Sequence, residues 1–126
     1  MKKRDPKKTW RNRADRLFQE VGLLVKPRCM HCGRPAEVIH HYHEKSISNA
    51  LRYECLNGVP LCNSCHCLWH SRHDPDFLHK IDEKLGVERI AYLAENRDNP
   101  VKTTLKFYQD HYARLLRIKE AIAKNL

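Results

Sequence analysis

Cys62-Asn63-Ser64-Cys65-His66-Cys67-Leu68-Trp69-His70 is the stretch on which the fold turns. It opens with the second of two C-x2-C pairs. The first, Cys29-Met30-His31-Cys32-Gly33, lies 29 intervening residues upstream, counted from cysteine to cysteine. Two residues between thiols let both sulfurs reach one tetrahedral ion across a tight turn, and Gly33 relaxes the backbone just after. Four thiolates at ~2.3 Å make a closed structural Zn2+ shell. A site of that kind contributes on the order of 10 kcal/mol to folding. One C-x2-C would also suit a redox pair, but two of them with no βαβ pattern nearby point to a metal. Cys55 and Cys67 fall outside the pairing and read as small buried apolar residues.

The same stretch carries the histidines. If Asn63 begins a helix, His66 and His70 stand at i and i+4 on one face. A third imidazole can come from Val38-Ile39-His40-His41-Tyr42-His43, which has the look of a strand. Three imidazoles with open positions around the ion suit hydrolysis, because phosphate oxygen and water must both reach the metal. A neutral imidazole near its ordinary pKa of ~6.5 can take a proton from water. Adjacent strand residues face opposite ways, so His40 and His41 share a site only where the strand bends, and His41 with His43 is the same-face alternative. Asn57-Gly58 is either a tight-turn dipeptide or a functional asparagine followed by glycine. His73, three residues after His70, displaces a ligand, meets phosphate or is solvated. His31, His79 and His111 read as surface or packing residues.

Outward from this centre the chain is short and polar. Its 126 residues fit one domain, 41% apolar and 31% charged, which leaves a modest core for a metal to staple. No run approaches the ~20 apolar residues of a membrane span. The N-terminal MKKRDPKKTW leads into no hydrophobic segment, so a soluble, cytoplasmic protein is expected. Reducing conditions there favour metal-bound over disulfide-bonded cysteine. The net charge is +9, and residues 1–28 alone hold ten basic side chains against three acidic ones. A basic arm on a near-neutral body suits a polyanion, DNA above all, though a solvated tail has the same composition.

Three zones follow: a basic helical arm (1–27), a Cys/His-rich middle (28–73) and a helical C-terminal part (74–126). In the arm, apolar residues recur from Trp10 to Leu24 at three- and four-residue steps, predicting a helix over 8–24 with Arg11, Arg13 and Arg16 on polar positions. The middle holds β-like runs at 36–42 and 59–62. Asp74-Pro75 starts a helix that stops at Gly86, a second runs over 87–97, and a third over 103–125. The last carries Leu105, Tyr108, Tyr112, Leu115, Ile118 and Ile122 on one stripe, either core or the seam of a homodimer.

The order His40-His41, Asn57, His66, His70 resembles the HNH nucleases: a His-bearing strand, a loop ending in Asn, a second strand, then a helix with the last His. Asn57 to His66 is nine residues and His66 to His70 four, as in the colicin-type DNases. Cysteine pairs flanking the module recur in zinc-bearing HNH enzymes. The resemblance implies an α+β protein with a ββα-metal core. It implies that His40, His66 and His70 bind a catalytic divalent metal, that His41 is the general base, and that Asn57 orients it or braces its loop. HNH enzymes commonly use Mg2+ or Mn2+, and three imidazoles also suit Zn2+ or Ni2+. Gly58 departs from the Leu or Ile usual after this Asn. More widely, Arg13-Ala14-Asp15-Arg16-Leu17-Phe18, Ala50-Leu51-Arg52-Tyr53 and Leu85-Gly86-Val87-Glu88-Arg89-Ile90 resemble the NinG/Rap recombination nucleases of phages. Those proteins act on branched DNA, inside a bacterial host. That family tends to carry spaced histidines where this chain has a doublet. Arg11, Arg13, Arg52 and Arg72 are the candidate DNA contacts. The alternatives are a sequence-specific nickase of the homing or restriction kind, and a non-catalytic zinc-stabilised DNA-binding module.

Overall fold

Asp5-Pro6 sets the start of the first helix. The Asp5 carboxylate accepts from the Lys7 amide at 3.0 Å, and proline sits where no intrahelical N–H is needed. Helix α1 therefore spans Pro6–Val25, longer at the N-terminal end than the apolar periodicity alone predicts. The computed structural model describes residues 3–71 and 74–125.

Beyond α1 the chain makes a narrow turn, with Arg28 bridged to Pro35, and enters a two-stranded antiparallel hairpin. Strand β1 (Val38–His41) pairs with β2 (Gly58–Leu61), Val38 opposite Leu61 and His41 opposite Gly58. Strand β1 is shorter than its apolar run, β2 matches its run in length but starts one residue earlier, and other groups take up hydrogen bonds along both outer edges. Ile39 turns its N–H and C=O away from β2, and the Gln19 side-chain amide takes both, at 2.8 and 2.7 Å. Pro60 lies opposite Ile39, so its missing N–H removes nothing from the ladder, and its carbonyl accepts from Met30 on the far edge.

The hairpin has a core on each face. Val59 and Leu61 pack with Trp69, Phe77, Ile81 and Leu85. Ile39 packs instead with Leu17, Phe18, Val21, Tyr53, Tyr108 and Leu115. The first core is closed by α2 (Asn63–Ser71), α3 (Pro75–Leu85) and α4 (Val87–Asn96). Asp74 caps α3 through the Asp76 amide, and Gly86, at φ +88°, makes the left-handed corner into α4. The second core is closed by α1 and α5 (Leu105–Lys124), which begins two residues later than the composition predicts because Thr104 caps it. The α5 stripe is a seam within one chain. Tyr108, Tyr112, Leu115, Ile118 and Ile122 face α1, Trp10 meets Tyr112 edge-on, and only Leu105 of the stripe is exposed.

One expectation and one of two open alternatives fail here. Cys55 and Cys67 are exposed. On α2 the inward positions are Cys65 and Trp69, so Cys67 points outward, and in the turn before β2 the interior goes to Asn57. Nor is Asn57-Gly58 a hairpin turn. Asn57 closes a short 3-10 turn (Cys55–Asn57) after a long loop, and Gly58 has an extended φ of −89°. Glycine is required there for space, since a Cβ would lie 2.8 Å from Ile39 Cγ2. Among the described residues no helix is long and apolar enough to cross a membrane.

Candidate functional site

Four thiols come together as the spacing predicts. Cys29, Cys32, Cys62 and Cys65 offer sulfurs within 4.8 Å of one another. The Cys32 and Cys62 sulfurs are 3.6 Å apart, close to the ~3.8 Å edge of a tetrahedron with ~2.3 Å metal–sulfur bonds. Gly33, at φ +78°, lets its amide return to the Cys29 carbonyl and completes the first turn. Burial alone would raise the Cys29 thiol, but backbone amides at Cys32, Cys62 and His31 outweigh it and bring the pKa down to about 6. Cys65 goes the other way, raised by burial and by the thiols around it. The four cysteines could thus bind a metal ion as a closed set, three of them buried in the first core. His31 adds a contact the sequence did not suggest: its Nδ1 lies 3.4 Å from Cys65 Sγ, with the ring against Phe77.

The second cluster opens onto a cleft of about 580 Å³. Asn63 starts α2, held by both oxygens of Glu37, and this sets His66 and His70 one turn apart with their Nε2 atoms 2.9 Å from each other. His40 completes the trio from β1, all three offering a ring nitrogen within 4.8 Å. His40 is wedged against Trp69, ring centroids 4.3 Å apart, and its Nε2 is buried with no hydrogen-bond partner among the described residues. Burial and the neighbouring imidazoles push His40 down to about 3, and burial and His70 lower His66. Unprotonated ring nitrogens, such as the orphaned Nε2 of His40, are the donors a divalent metal requires.

His41 faces the other way, stacked on Phe18 of α1 at 5.0 Å between centroids. The strand alternation therefore holds, yet His40 and His41 line one cleft. No bend is needed, because the cleft straddles the free edge of β1. One wall is α2 with His66 and His70; the other is α1 with Gln19. His41 Nε2 lies 2.8 Å from the Arg52 carbonyl, which can only accept, so Nε2 carries the proton and Nδ1 is left with its lone pair. Burial lowers the His41 pKa, keeping the ring neutral at pH 7.

Asn57 is fully buried and staples the loop between the strands. Its Oδ1 accepts from the His43 amide, and its Nδ2 donates to the carbonyls of His43 and Leu51. Among the described residues no hydrogen bond joins its side chain to His41, and the bonds it makes brace the loop. His43 lines a separate pocket with Tyr42, Trp69 and Asp82.

The candidate DNA contacts divide. Arg52 lines the cleft, but its guanidinium is spent on Asp15, at 2.9 and 2.6 Å. Arg11 is one helical turn before Asp15 on α1, in line with the cleft wall, whereas Arg13 stacks over Trp10 at 4.9 Å. Arg72 and His73 lie outside the described residues. Sequence reasoning missed Asp15, Gln19 and Lys45, the last an exposed cation on the cleft wall. An acid and an amide one turn apart in a basic helix were the available signal for the first two. No family model, curated protein or solved structure matches the chain.

Proposed function

We propose that the chain is a divalent-metal-dependent endonuclease of the HNH kind, hydrolysing DNA phosphodiester bonds in the cleft beside β1. One observation carries the reading: three imidazoles bring ring nitrogens together on an open cleft, beside a fourth, His41, whose proton is fixed on Nε2. His40, His66 and His70 would hold the ion, and the donor chemistry and the orphaned His40 nitrogen fit one. Bound there, a divalent cation such as Mg2+ or Mn2+ supplies charge stabilisation to the phosphate and the departing oxygen.

The residues of the chain do the rest. His41 Nδ1 accepts a proton as a water oxygen bonds to phosphorus and the bond to the 3′ oxygen breaks. The departing oxygen takes a proton from solvent, leaving 5′-phosphate and 3′-hydroxyl ends. Asn57 holds the loop that carries Lys45 and Ser46 along the cleft, where Lys45 would meet a phosphate. The cysteine quartet would hold a structural Zn2+, keeping α2 and its two histidines in place. Branched DNA, as handled in phage recombination, is the substrate that the resemblance of the arm and the C-terminal part implies.

The test is purified protein on linear, nicked and four-way DNA across Mg2+, Mn2+, Co2+, Ni2+ and Zn2+. Metal-dependent cutting, with four-way DNA preferred, is expected. Cutting at one sequence would favour a sequence-specific nickase, and DNA binding with no cutting by any metal would favour a binding module.

A further inference from the structure

We propose that Asp15 is a positioning residue for His41: by gripping Arg52 and Tyr53 it fixes the backbone carbonyl on which the His41 ring is hung. The catalytic consequence rests on the nuclease reading above; the structural one does not.

That carbonyl belongs to Arg52 and accepts His41 Nε2–H at 2.8 Å. It sits in the loop between the strands, where no ladder secures the backbone. The turns on either side are closed by long bonds, Arg52 N to Asn49 O at 3.3 Å and Glu54 N to Leu51 O at 3.2 Å. Side chains supply what the ladder does not. Arg52 donates to both oxygens of Asp15, and the Tyr53 hydroxyl donates to Asp15 Oδ1 at 2.7 Å. On the far side of the same peptide run, Arg114 of α5 donates to the Tyr53 carbonyl at 2.6 Å. Tyr53 itself is 1% exposed, within the second core.

Three donors on one carboxylate are more than a surface ion pair collects. Arg52 presents a planar fork whose geometry a carboxylate matches at both oxygens. The pair is inset, its side chains 12% and 22% exposed. Its place on α1 is also particular. Phe18 stacks on His41, and Gln19, one turn after Asp15, caps Ile39 on the strand that carries His41. One face of α1 thus grips the ring, its strand and the carbonyl opposite. Asp15 is an acid on a helix otherwise suited to DNA, where a negative charge opposes binding. Its presence there is accounted for by what it holds.

The experiment uses the full chain with its cysteine-bound metal and selective 15N labelling of histidine. In the wild type the His41 Nε2–H should appear as a ring N–H protected from solvent exchange. Asp15→Asn should keep the fold and the cysteine-bound metal but lose that protection. It should also lower kcat by roughly 10- to 100-fold with little change in KM, short of the ~10²–10⁴-fold expected for losing the base. A folded Asp15→Asn that keeps the protected signal, or keeps wild-type kcat, overturns the proposal. If Asp15→Asn does not fold, Tyr53→Phe and Arg52→Lys, each removing part of the grip, are read by the same criteria. If the wild type cuts no DNA, the nuclease reading fails, and the exchange measurement alone decides whether Asp15 positions the ring.

Discussion

The cysteine quartet and the histidine trio draw on the same helix: Cys65 and His66 are neighbours on α2, with Cys62 just before it and His70 one turn on. They differ in what surrounds them. The thiols form a complete set of four, backed by the first core and by the amides of their own turns. The imidazoles are three, with His70 exposed and His66 half-buried on a cleft. A tetrahedral ion in the first site has nowhere to bind anything else, whereas one in the second keeps a position for water or phosphate. Donor count and exposure, more than donor identity, would separate an enclosed ion from one open to further ligands.

The largest expected effect is on the staple. Cys62→Ser should abolish the cooperative thermal transition and the bound metal together, since such an ion contributes on the order of 10 kcal/mol. Cys55→Ser and Cys67→Ser, both exposed, should stay within about 0.5 kcal/mol of wild type. Melting curves with metal analysis read both, and a well-folded, metal-free Cys62→Ser would break the contrast between the clusters.

His70→Ala should do the reverse. The side chain is exposed, so the melt should move by less than about 0.5 kcal/mol and the cysteine-bound metal should remain. Cleavage should fall and then recover in part as divalent metal is raised. Loss of the cysteine-bound metal in this variant would mean that the two clusters are one unit.

The Asp15–Arg52 pair sharpens the view of the cleft wall. Burial would raise the Asp15 pKa, but hydrogen bonds from Arg52 and Tyr53 and the Arg52 charge outweigh it, and the net direction is down. A carboxyl lowered by folding stabilises the protein above its ordinary pKa of 3.8 and loses that contribution as the pH falls through the lower folded value. Asp15→Asn should therefore be less stable than wild type by about 1–3 kcal/mol at pH 6, with the gap closing below pH ~4. A gap that stays constant down to pH ~2 would show that the carboxylate charge is not what matters.

The smallest effect belongs to the arm. Deleting residues 2–8 removes five basic side chains and one acidic. The log–log salt dependence of DNA affinity should flatten by ~0.9 for each phosphate the shortened arm no longer neutralises, with both clusters intact. An unchanged slope would make the arm a solubility tail.

The parts of this fold that are legible in the sequence are those fixed by local chemistry. The paired C-x2-C spacing predicts the quartet, Asp74-Pro75 and Gly86 bound α3, and the i, i+4 step brings His66 and His70 together. What is not legible depends on which face meets which. Residue type alone places Cys55 and Cys67 inward, but the interior at those points goes to Asn57, Cys65 and Trp69. Arg52 looks like a free cation because nothing in the sequence says that residue 15 sits beside it. The sharing of one cleft by His40 and His41 depends on β1 being an edge strand, with its outward N–H and C=O at Ile39 taken by the Gln19 amide.

Cleavage of DNA by the wild type and by two His41 variants tests the central claim most directly. His41→Ala and the more conservative His41→Gln should retain the cysteine-bound metal, bind divalent metal at the trio and bind DNA. Both should cut at least ~10²-fold more slowly than wild type, as loss of a general base requires. Wild-type protein that cuts no DNA with any divalent metal, or His41 variants that cut as fast as wild type, would contradict it.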